Sequence, residues 1–193
     1  MQNERMILTY TGKLFDFWEP TPDMICIEDI AHALALTNRY NGHTYTPYSV
    51  AEHCERMSYI ETARPLVSLL HDAAEAYVGD IASPQKSYLW WRTMRTGLDS
   101  SLRPFREQES RIIRVIGEAL GVRDLQENVK FKGVKEADLT MLATEVRDLM
   151  PESTVFDQWT KGVKPLEEKI YPLHWALAED QFLYRFEELR RAL

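Results

Sequence analysis

The stretch PLVSLLHDAAEAYV, residues 65–78, is an apolar segment that carries three acidic or basic side chains. Proline suits the first turn of a helix, glycine is common just beyond the last turn, and Gly79 follows the segment directly. The pattern therefore predicts one helix from about Pro65 to Val78.

The acidic and basic residues of this segment are His71, Asp72 and Glu75. Residues three and four apart share one side of a helix, so Glu75 is expected on the side of both His71 and Asp72. A charged carboxylate among apolar side chains is costly unless it is paired or bound to a metal ion. A structural ion pair would account for one of these groups and accounts poorly for three.

Apolar residues at helical spacing extend this pattern on both sides. Further helices are predicted from about Asp23 to Asn38, from Thr46–Pro47 through Met57, from Pro104 to about Leu120, from Lys132 to Met150 and from Pro165 to the C-terminus, where Pro172 kinks or breaks the last one. Residues 79–91 are predicted to be a looser stretch, and residues 7–15 a short hairpin around Gly12. The predicted fold class is all-α, with five to seven helices and a short N-terminal hairpin.

Two more ionisable residues, His53 and Asp138, lie on predicted helix faces whose other residues are apolar. Both side chains are therefore expected to point inward. Alone, His53 could be a core histidine bonded to a backbone carbonyl, and Asp138 could be balanced by an arginine or by a metal. Cys54 follows His53, but consecutive helix residues point about 100° apart, so Cys54 is not predicted to be a ligand.

The predicted metal ligands are His53, His71, Asp72 and Asp138. Two imidazoles and two carboxylates suit one divalent cation, and Mn²⁺, Co²⁺, Zn²⁺, Fe²⁺, Mg²⁺ and Ni²⁺ all stay open. Such a set leaves coordination positions for water and for a phosphate oxygen.

Composition narrows the classes of function. The 193 residues fit one domain, 1–193, and 45% apolar with 27% charged residues is ordinary for a globular protein. The net charge of -7 argues against binding to long nucleic acid but not against a small phosphate ester beside a metal ion. Two cysteines, no signal peptide and no apolar stretch of about 20 residues predict a cytoplasmic protein without a membrane span.

The ordered pattern His53, His71-Asp72 and Asp138 resembles the H…HD…D signature of the HD-domain metal-dependent phosphohydrolases. Within that family the chain is similar to the bacterial 5′-deoxynucleotidases of the YfbR-like group and to related prophage hydrolases. The segments that carry this resemblance are HDAAEAYVGDIASPQK (71–86), SVAEH (49–53), KEAD (135–138) and NRY (38–40), the last in place of an Asn-Arg-Trp. The resemblance covers about residues 25 to 150 and implies an HD-domain helical bundle, with a homodimer or larger homo-oligomer as its assembly.

The resemblance also implies roles for residues outside the ligand set. Glu75 would orient or deprotonate the attacking water, and Asp80 would contact the sugar 3′-hydroxyl or the residues around the metal. Arg39 would clamp the phosphate, and Tyr40 would keep the aromatic face of the family's tryptophan, with base preference left open. Lys86 is either a phosphate contact or a solvated surface lysine.

The leading hypothesis is hydrolysis of a (deoxy)nucleoside 5′-monophosphate by a metal-activated water. Since related phage enzymes act on dATP, the alternative in the same class is a dNTP triphosphohydrolase that releases tripolyphosphate. The alternative from another class is a non-catalytic nucleotide sensor, which would have little reason to keep Glu75. His43 is either a substrate contact or a surface residue, and ribose preference stays open.

Overall fold

The computed structural model describes residues 2–60, 64–96, 105–160 and 162–192. Helices dominate these residues, and the predicted all-α class is confirmed. In chain order the helices are α1 (Ile27–Leu36), α2 (Val50–Met57), α3 (Pro65–Leu70), α4 (Glu75–Val78), α5 (Ser83–Thr96), α6 (Phe105–Leu120), α7 (Leu125–Asn128), α8 (Lys132–Leu149), α9 (Phe156–Thr160) and α10 (Trp175–Arg191).

A two-stranded hairpin precedes the helices. Strand β1 (Met6–Leu8) pairs antiparallel with β2 (Leu14–Asp16), and Ile7 lies opposite Phe15. Gly12 in the turn has a φ of +88°, a left-handed value that glycine adopts without steric cost. The predicted hairpin is confirmed, and it is the only sheet within the described residues.

The core lies where α1 to α4 meet α8 and α10. Helix α10 packs against α1, α2 and α3, and α2 also contacts α8. Leu34, Met57, Leu69 and Phe182 are among the fully buried side chains at these contacts. Burial of a side chain of this size contributes about 1.5–3 kcal/mol. The two helices that carry His53 and Asp138 are therefore fixed by the centre of the core.

The predicted continuous helix 65–78 is wrong in its middle. Helix α3 ends at Leu70, and α4 begins only at Glu75. Between them the backbone bonds span three residues instead of four, as in Ala73 N to Leu70 O at 3.1 Å and Glu75 N to Asp72 O at 2.9 Å. In this tighter winding, side chains three apart eclipse each other. Asp72 and Glu75 are therefore aligned more closely than an α-helix would align them.

Two predicted helix starts are also wrong. Asp23 belongs to a short 3-10 turn, and α1 begins at Ile27. Helix α2 starts after Ser49, whose hydroxyl oxygen accepts a hydrogen bond from the backbone N–H of Glu52 at 3.1 Å. This cap satisfies a free N–H of the first turn, so the helix does not begin at Thr46–Pro47.

The expected loose stretch 79–91 is wrong, because α5 occupies most of it. Its described side chains lack an apolar stripe, and Tyr88 and Trp91 are about half exposed. A search for buried periodicity therefore misses this helix. The predicted start of the next helix at Pro104 lies outside the described residues, and α6 is described from Phe105.

The last predicted helix begins ten residues later than expected, at Trp175. Residues 166–173, here called the strap, run without helical structure across α2 and α8. The backbone N–H groups of the strap donate to side chains of these helices: Leu166 N to Thr144 Oγ1 at 2.9 Å, Ile170 N to Asp148 Oδ2 at 2.8 Å and Leu173 N to Glu52 Oε2 at 2.8 Å. These acceptors replace the bonds that a helix would have made.

No helix in the described part of the chain combines the length and the apolar character that crossing a bilayer requires.

Candidate metal centre

Four of the residues singled out in the sequence come together from three parts of the chain. His53 projects from α2, His71 and Asp72 from the turn between α3 and α4, and Asp138 from α8. The Nε2 atoms of His53 and His71 are 3.4 Å apart. Asp72 Oδ2 lies 3.1 Å from His71 Nε2, and Asp138 Oδ1 lies 3.5 Å from His53 Nε2. These four side chains are called the cluster below.

The cluster is buried on one side and open on the other. His53 is fully buried, whereas the carboxylate side chain of Asp138 is half exposed. Asp72 lies between these extremes, with a quarter of its side chain exposed. A small molecule can therefore approach the cluster from the side of the two aspartates.

The second nitrogen of each imidazole already has a partner. His53 Nδ1 lies 2.6 Å from Glu145 Oε1, and His71 Nδ1 lies 2.7 Å from the backbone oxygen of Ser68. Because both partners are acceptors, both Nδ1 atoms carry the proton and donate it. Each Nε2 of the neutral rings is then a lone pair directed into the cluster. A histidine that is held from behind in this way is the usual arrangement of a metal ligand.

When both rings are neutral, the cluster brings together acceptors without a donor among them. Two imidazole lone pairs and two carboxylates repel each other unless a positive charge lies between them. The side-chain types and their spacing fit a divalent cation, with His53, His71 and Asp138 offering ligand atoms within 4.8 Å of one another. The coarse expectation that this chain has a possible metal site is therefore met by the geometry.

The pKa values report the same negative potential. Burial disfavours the charged imidazolium of His71, but the adjacent Asp72 outweighs this effect and raises the pKa of His71 well above its ordinary value. Burial also opposes the charged form of His53, as does Arg39, yet Glu145 and Asp138 raise its pKa. For Asp72, burial is outweighed by His71, and the pKa falls below its ordinary range. The carboxylates therefore stay charged and attract positive charge, either as protons on the two imidazoles or as a metal ion that takes their place.

Glu145 is a functional candidate that the sequence reasoning missed. It lies on α8, two helical turns after Asp138, and its side chain is fully buried. Burial alone would raise its pKa, but Arg39 and His53 lower the pKa of this carboxyl to about 2. A signal was present in the sequence: residues seven apart share a helix face, and Glu145 follows Asp138 at that spacing.

Arg39 and Tyr40 lie beside the cluster and reach Glu145. Arg39 Nε is 3.3 Å from Glu145 Oε2, and its Nη1 is 3.6 Å from Asp72 Oδ2. The hydroxyl of Tyr40 donates to the same Glu145 oxygen. The structure therefore brings the expected phosphate clamp to the edge of the cluster and directs the Tyr40 hydroxyl away from solvent.

The turn that holds these two residues has an unusual backbone. Tyr40 and Asn41 have φ values of 56° and 52°, and Gly42 follows at 76°. Left-handed residues with a side chain cost roughly 1–2 kcal/mol each, so surrounding contacts must impose this conformation. The backbone N–H of Tyr45 donates to Leu149 O at 2.9 Å, which fastens the exit of the turn to the end of α8.

Glu75 lies next to the cluster in a small cavity. Its Oε2 is buried and makes no hydrogen bond within the described part of the chain, whereas Oε1 is 3.4 Å from the ammonium nitrogen of Lys86. Burial, followed by the charges of Asp72 and Asp80, raises the pKa of Glu75 to about 9. The cavity has a volume of about 200 Å³ and is also lined by His71 and Asp72.

Lys86 lines this cavity, whereas Asp80 is not among its lining residues. Lys86 is mostly buried and donates to Glu109 Oε1 at 2.7 Å as well as to Glu75, so the alternative of a solvated surface lysine is wrong. Asp80 follows Gly79 in the loop after α4 and is partly buried. Burial is the main cause that raises its pKa, and the Asp72 charge adds to this.

The remaining candidates do not join the cluster. His43 is exposed at the end of the left-handed turn, and His32 bonds to Glu179 at 3.0 Å. Cys54 Sγ lies 3.8 Å from His71 Nδ1, the nitrogen on the far side of the ring from His53. Cys54, His71 and Asp72 form a second group with metal-ligating atoms, but Ser68 O already takes the His71 Nδ1 proton.

Comparison with known proteins identifies two bacterial relatives of this chain. The chain is 35% identical over 187 residues to the uncharacterized protein YfdR of Escherichia coli, covering 95% of this chain and 94% of that protein. It is 42% identical over 87 residues to an uncharacterized protein of Rhodobacter capsulatus, covering 40% of this chain and 44% of that protein. No protein-family model matches the chain.

Proposed function

The chain belongs to the family of Escherichia coli YfdR, and we propose that it is a metal-dependent phosphohydrolase of the HD type. The substrate is a phosphate monoester, in particular a deoxynucleoside 5′-monophosphate. One observation carries the proposal: four acceptor side chains converge, and both imidazoles are held from behind by other acceptors.

His53, His71, Asp72 and Asp138 would hold the cation. A divalent ion bound there would polarise a phosphoryl oxygen and lower the pKa of a water molecule toward neutrality. The half-exposed Asp138 marks the side from which substrate enters. The buried side, with His53 and Glu145, sets the positions of the ligands before substrate binds.

Glu75 supplies the general base. Its unpartnered Oε2 can accept the proton of the attacking water, and its Oε1 is held by Lys86. A base must be ionised, and in the protein alone burial opposes this most, with repulsion from the Asp72 and Asp80 charges as a further cause. Positive charge at the cluster removes part of that repulsion and lowers the Glu75 pKa, so metal binding and base activation are linked.

Arg39 holds the phosphate. Its guanidinium is fixed by Glu145 at one end, and Nη1 faces the cluster beside Asp72. A guanidinium can form two parallel hydrogen bonds to phosphate oxygens, which orients the phosphorus for attack in line with the leaving oxygen. Tyr40, next along the turn, offers an aromatic face to the sugar or base.

The charge near the site favours a monophosphate over a triphosphate. The cationic side chains that the structure describes near the cluster include Arg39, Lys86 and Lys130. Two of these already face carboxylates, since Lys86 contacts two glutamates and Arg39 contacts Glu145. A dNTP would bring further negative charge into the acidic surroundings of the cluster, with few cations left to balance it.

The test is a turnover assay with defined metals. Purified protein is stripped with EDTA, resupplied with single divalent metals, and incubated with deoxynucleoside and ribonucleoside monophosphates and with dNTPs. We expect release of inorganic phosphate from monophosphates and no release without metal. Tripolyphosphate as the product would instead support the dNTP alternative.

One contact favours a second candidate, a non-catalytic nucleotide sensor. Lys86 donates to Glu75, the carboxylate that hydrolysis requires as a base. The same contact would stabilise the fold of a protein that binds a nucleotide without hydrolysing it. Metal-dependent nucleotide binding by calorimetry, without turnover of any nucleotide with any metal, would replace the hydrolase proposal by this one.

We also place this enzyme in the cytoplasm as a homodimer or larger homo-oligomer. Both cysteines, Cys26 and Cys54, are free, as is usual in a reducing compartment. Analytical ultracentrifugation measures the assembly, and a monomer at micromolar concentration would contradict it.

A further inference from the structure

Glu145 connects two parts of the proposed site that are otherwise separate. Its Oε1 accepts the Nδ1 proton of His53 at 2.6 Å, and its Oε2 accepts from Arg39 at 3.3 Å and from the Tyr40 hydroxyl. The carboxylate is fully buried, so water does not compete for these bonds. One rigid group therefore holds both a predicted metal ligand and the turn predicted to contact substrate.

The turn on the other side of Glu145 is strained and needs such support. Tyr40 and Asn41 both have left-handed backbone torsions, which residues with side chains rarely adopt in succession. The N–H of Arg39 donates to Tyr48 O at 2.9 Å, and the N–H of His43 donates to Tyr40 O at 3.0 Å. Of the bonds described for the turn, those to Glu145 hold the side chains of Arg39 and Tyr40.

We propose that Glu145 is a positioning residue that couples cation binding at the cluster to the conformation of the Arg39–Tyr40 turn. This inference rests on the proposed function in one respect, that the cluster binds a metal ion. When Tyr40 and Arg39 hold Oε2, the Oε1 atom is oriented to fix His53 with its Nε2 toward the cluster. When the turn is perturbed, the carboxylate can rotate, and the imidazole loses its orientation.

The coupling has a thermodynamic consequence. If metal binding favours the ordered turn, the ordered turn must favour metal binding by the same factor. A change at Tyr40, which is not a predicted ligand, should therefore weaken metal binding in the absence of any nucleotide. A residue that only packs against the turn would have no such effect.

The experiment is a double-mutant cycle that measures metal affinity by isothermal titration calorimetry. Four metal-free proteins are titrated with one divalent metal: wild type, Glu145→Gln, Tyr40→Phe and the double variant. We expect Glu145→Gln to weaken affinity about 10- to 100-fold, as loss of an outer hydrogen-bond partner does. Tyr40→Phe should weaken it about 5-fold in the wild type and have no further effect in the Glu145→Gln protein.

The matched control is Glu52→Gln. Glu52 is also fully buried on a core helix and also accepts a hydrogen bond at each carboxylate oxygen, but from Arg56 and from the N–H of Leu173 in the strap. This variant should lower the melting temperature and leave metal affinity unchanged. The comparison separates loss of a buried carboxylate in general from loss of the one at His53.

The outcomes are distinct. If the wild-type protein binds none of the divalent metals, the proposed function and this inference both fail. If it binds metal and the Tyr40→Phe and Glu145→Gln effects add independently, only the coupling is overturned. Should Glu145→Gln not fold, Tyr40→Phe decides alone, since unchanged metal affinity in that variant contradicts the coupling.

Discussion

Helices α2 and α8 bear buried polar side chains on two faces, and the two faces satisfy these groups differently. On the strap face, Glu52, Thr144 and Asp148 each accept a backbone N–H from residues 166–173. On the cluster face, His53 and Asp138 meet other acceptors. Glu52 and His53 are neighbours in sequence, yet Glu52 accepts a hydrogen bond from the strap whereas His53 faces the cluster.

This difference separates structural polar groups from functional ones. A buried acceptor that meets a donor from its own chain stabilises the fold and needs nothing else. Acceptors that meet each other keep a requirement for positive charge, which protons on the imidazoles or a bound cation can supply. Burial or concavity alone does not make this distinction, since a larger cavity of about 710 Å³ lies on the strap face and is lined by none of the four cluster residues.

The largest expected effect that tests the comparison comes from Asp72→Ala. This change removes a carboxylate that lies 3.1 Å from His71 Nε2. Metal affinity should fall by more than the roughly 100-fold that loss of an outer partner causes, and turnover should disappear with it. Calorimetric metal titration and the phosphate-release assay measure both, and full activity in this variant would show that the cluster is not the reaction centre.

The second effect separates the base from the ligands. Glu75→Gln should keep metal affinity within about 3-fold, because Glu75 lies beside the cluster and is not part of it, while kcat falls by about 10²- to 10⁴-fold. Steady-state kinetics at saturating metal give kcat. A parallel loss of metal affinity would place Glu75 among the ligands.

A smaller effect is expected on the strap face from Thr144→Val. The substitution removes the oxygen that accepts the Leu166 N–H at 2.9 Å and leaves that N–H without this partner. We expect a loss of about 1–3 kcal/mol in the free energy of unfolding, with unchanged metal affinity. Urea denaturation measures the first quantity. Weakened metal binding here would mean that the two faces are not independent.

The smallest effect is the dependence on pH of the Asp148 contact. The hydrogen bond from Arg147 is the main cause that lowers the pKa of Asp148 below its ordinary value of 3.8. Because the pKa of this carboxyl is lower in the folded state than in the unfolded state, its charged form stabilises the folded protein at pH values above the unfolded-state pKa. This stabilisation is lost as the pH falls through the folded-state pKa. Asp148→Asn should therefore cost about 1 kcal/mol at pH 6. Below pH 4 the difference from wild type should shrink, as denaturation at several pH values would show.

The elements predicted best are those with one buried face. Helix α8 has Val134, Ala137 and Met141 buried at helical spacing, and its predicted start at Lys132 is confirmed. Helix α5 was missed because its described side chains are mostly exposed and carry no such period. The end of the chain was overextended because the strap is held by Thr144, Asp148 and Glu52, contacts that are remote in sequence.

The features of the candidate site also divide into those that the sequence predicted and those that it did not. The residues of the cluster were predicted from ionisable groups on apolar faces and from the family pattern, and the structure brings them within a few ångströms. Glu145 was missed because no motif includes it, although its spacing from Asp138 was visible. The left-handed torsions of Tyr40 and Asn41 could not be predicted, since they arise from bonds to a helix about 100 residues away.

Helix α8 fixes the distances between separate parts of the proposed site. It carries Asp138, then Glu145, then the Leu149 oxygen that accepts the Tyr45 N–H, over an axial length of about 16 Å. One residue inserted between Asp138 and Glu145 would rotate everything beyond it by about 100° and break register with His53 and the turn together. Relatives of this chain should therefore keep the number of residues between Asp138 and Leu149 unchanged.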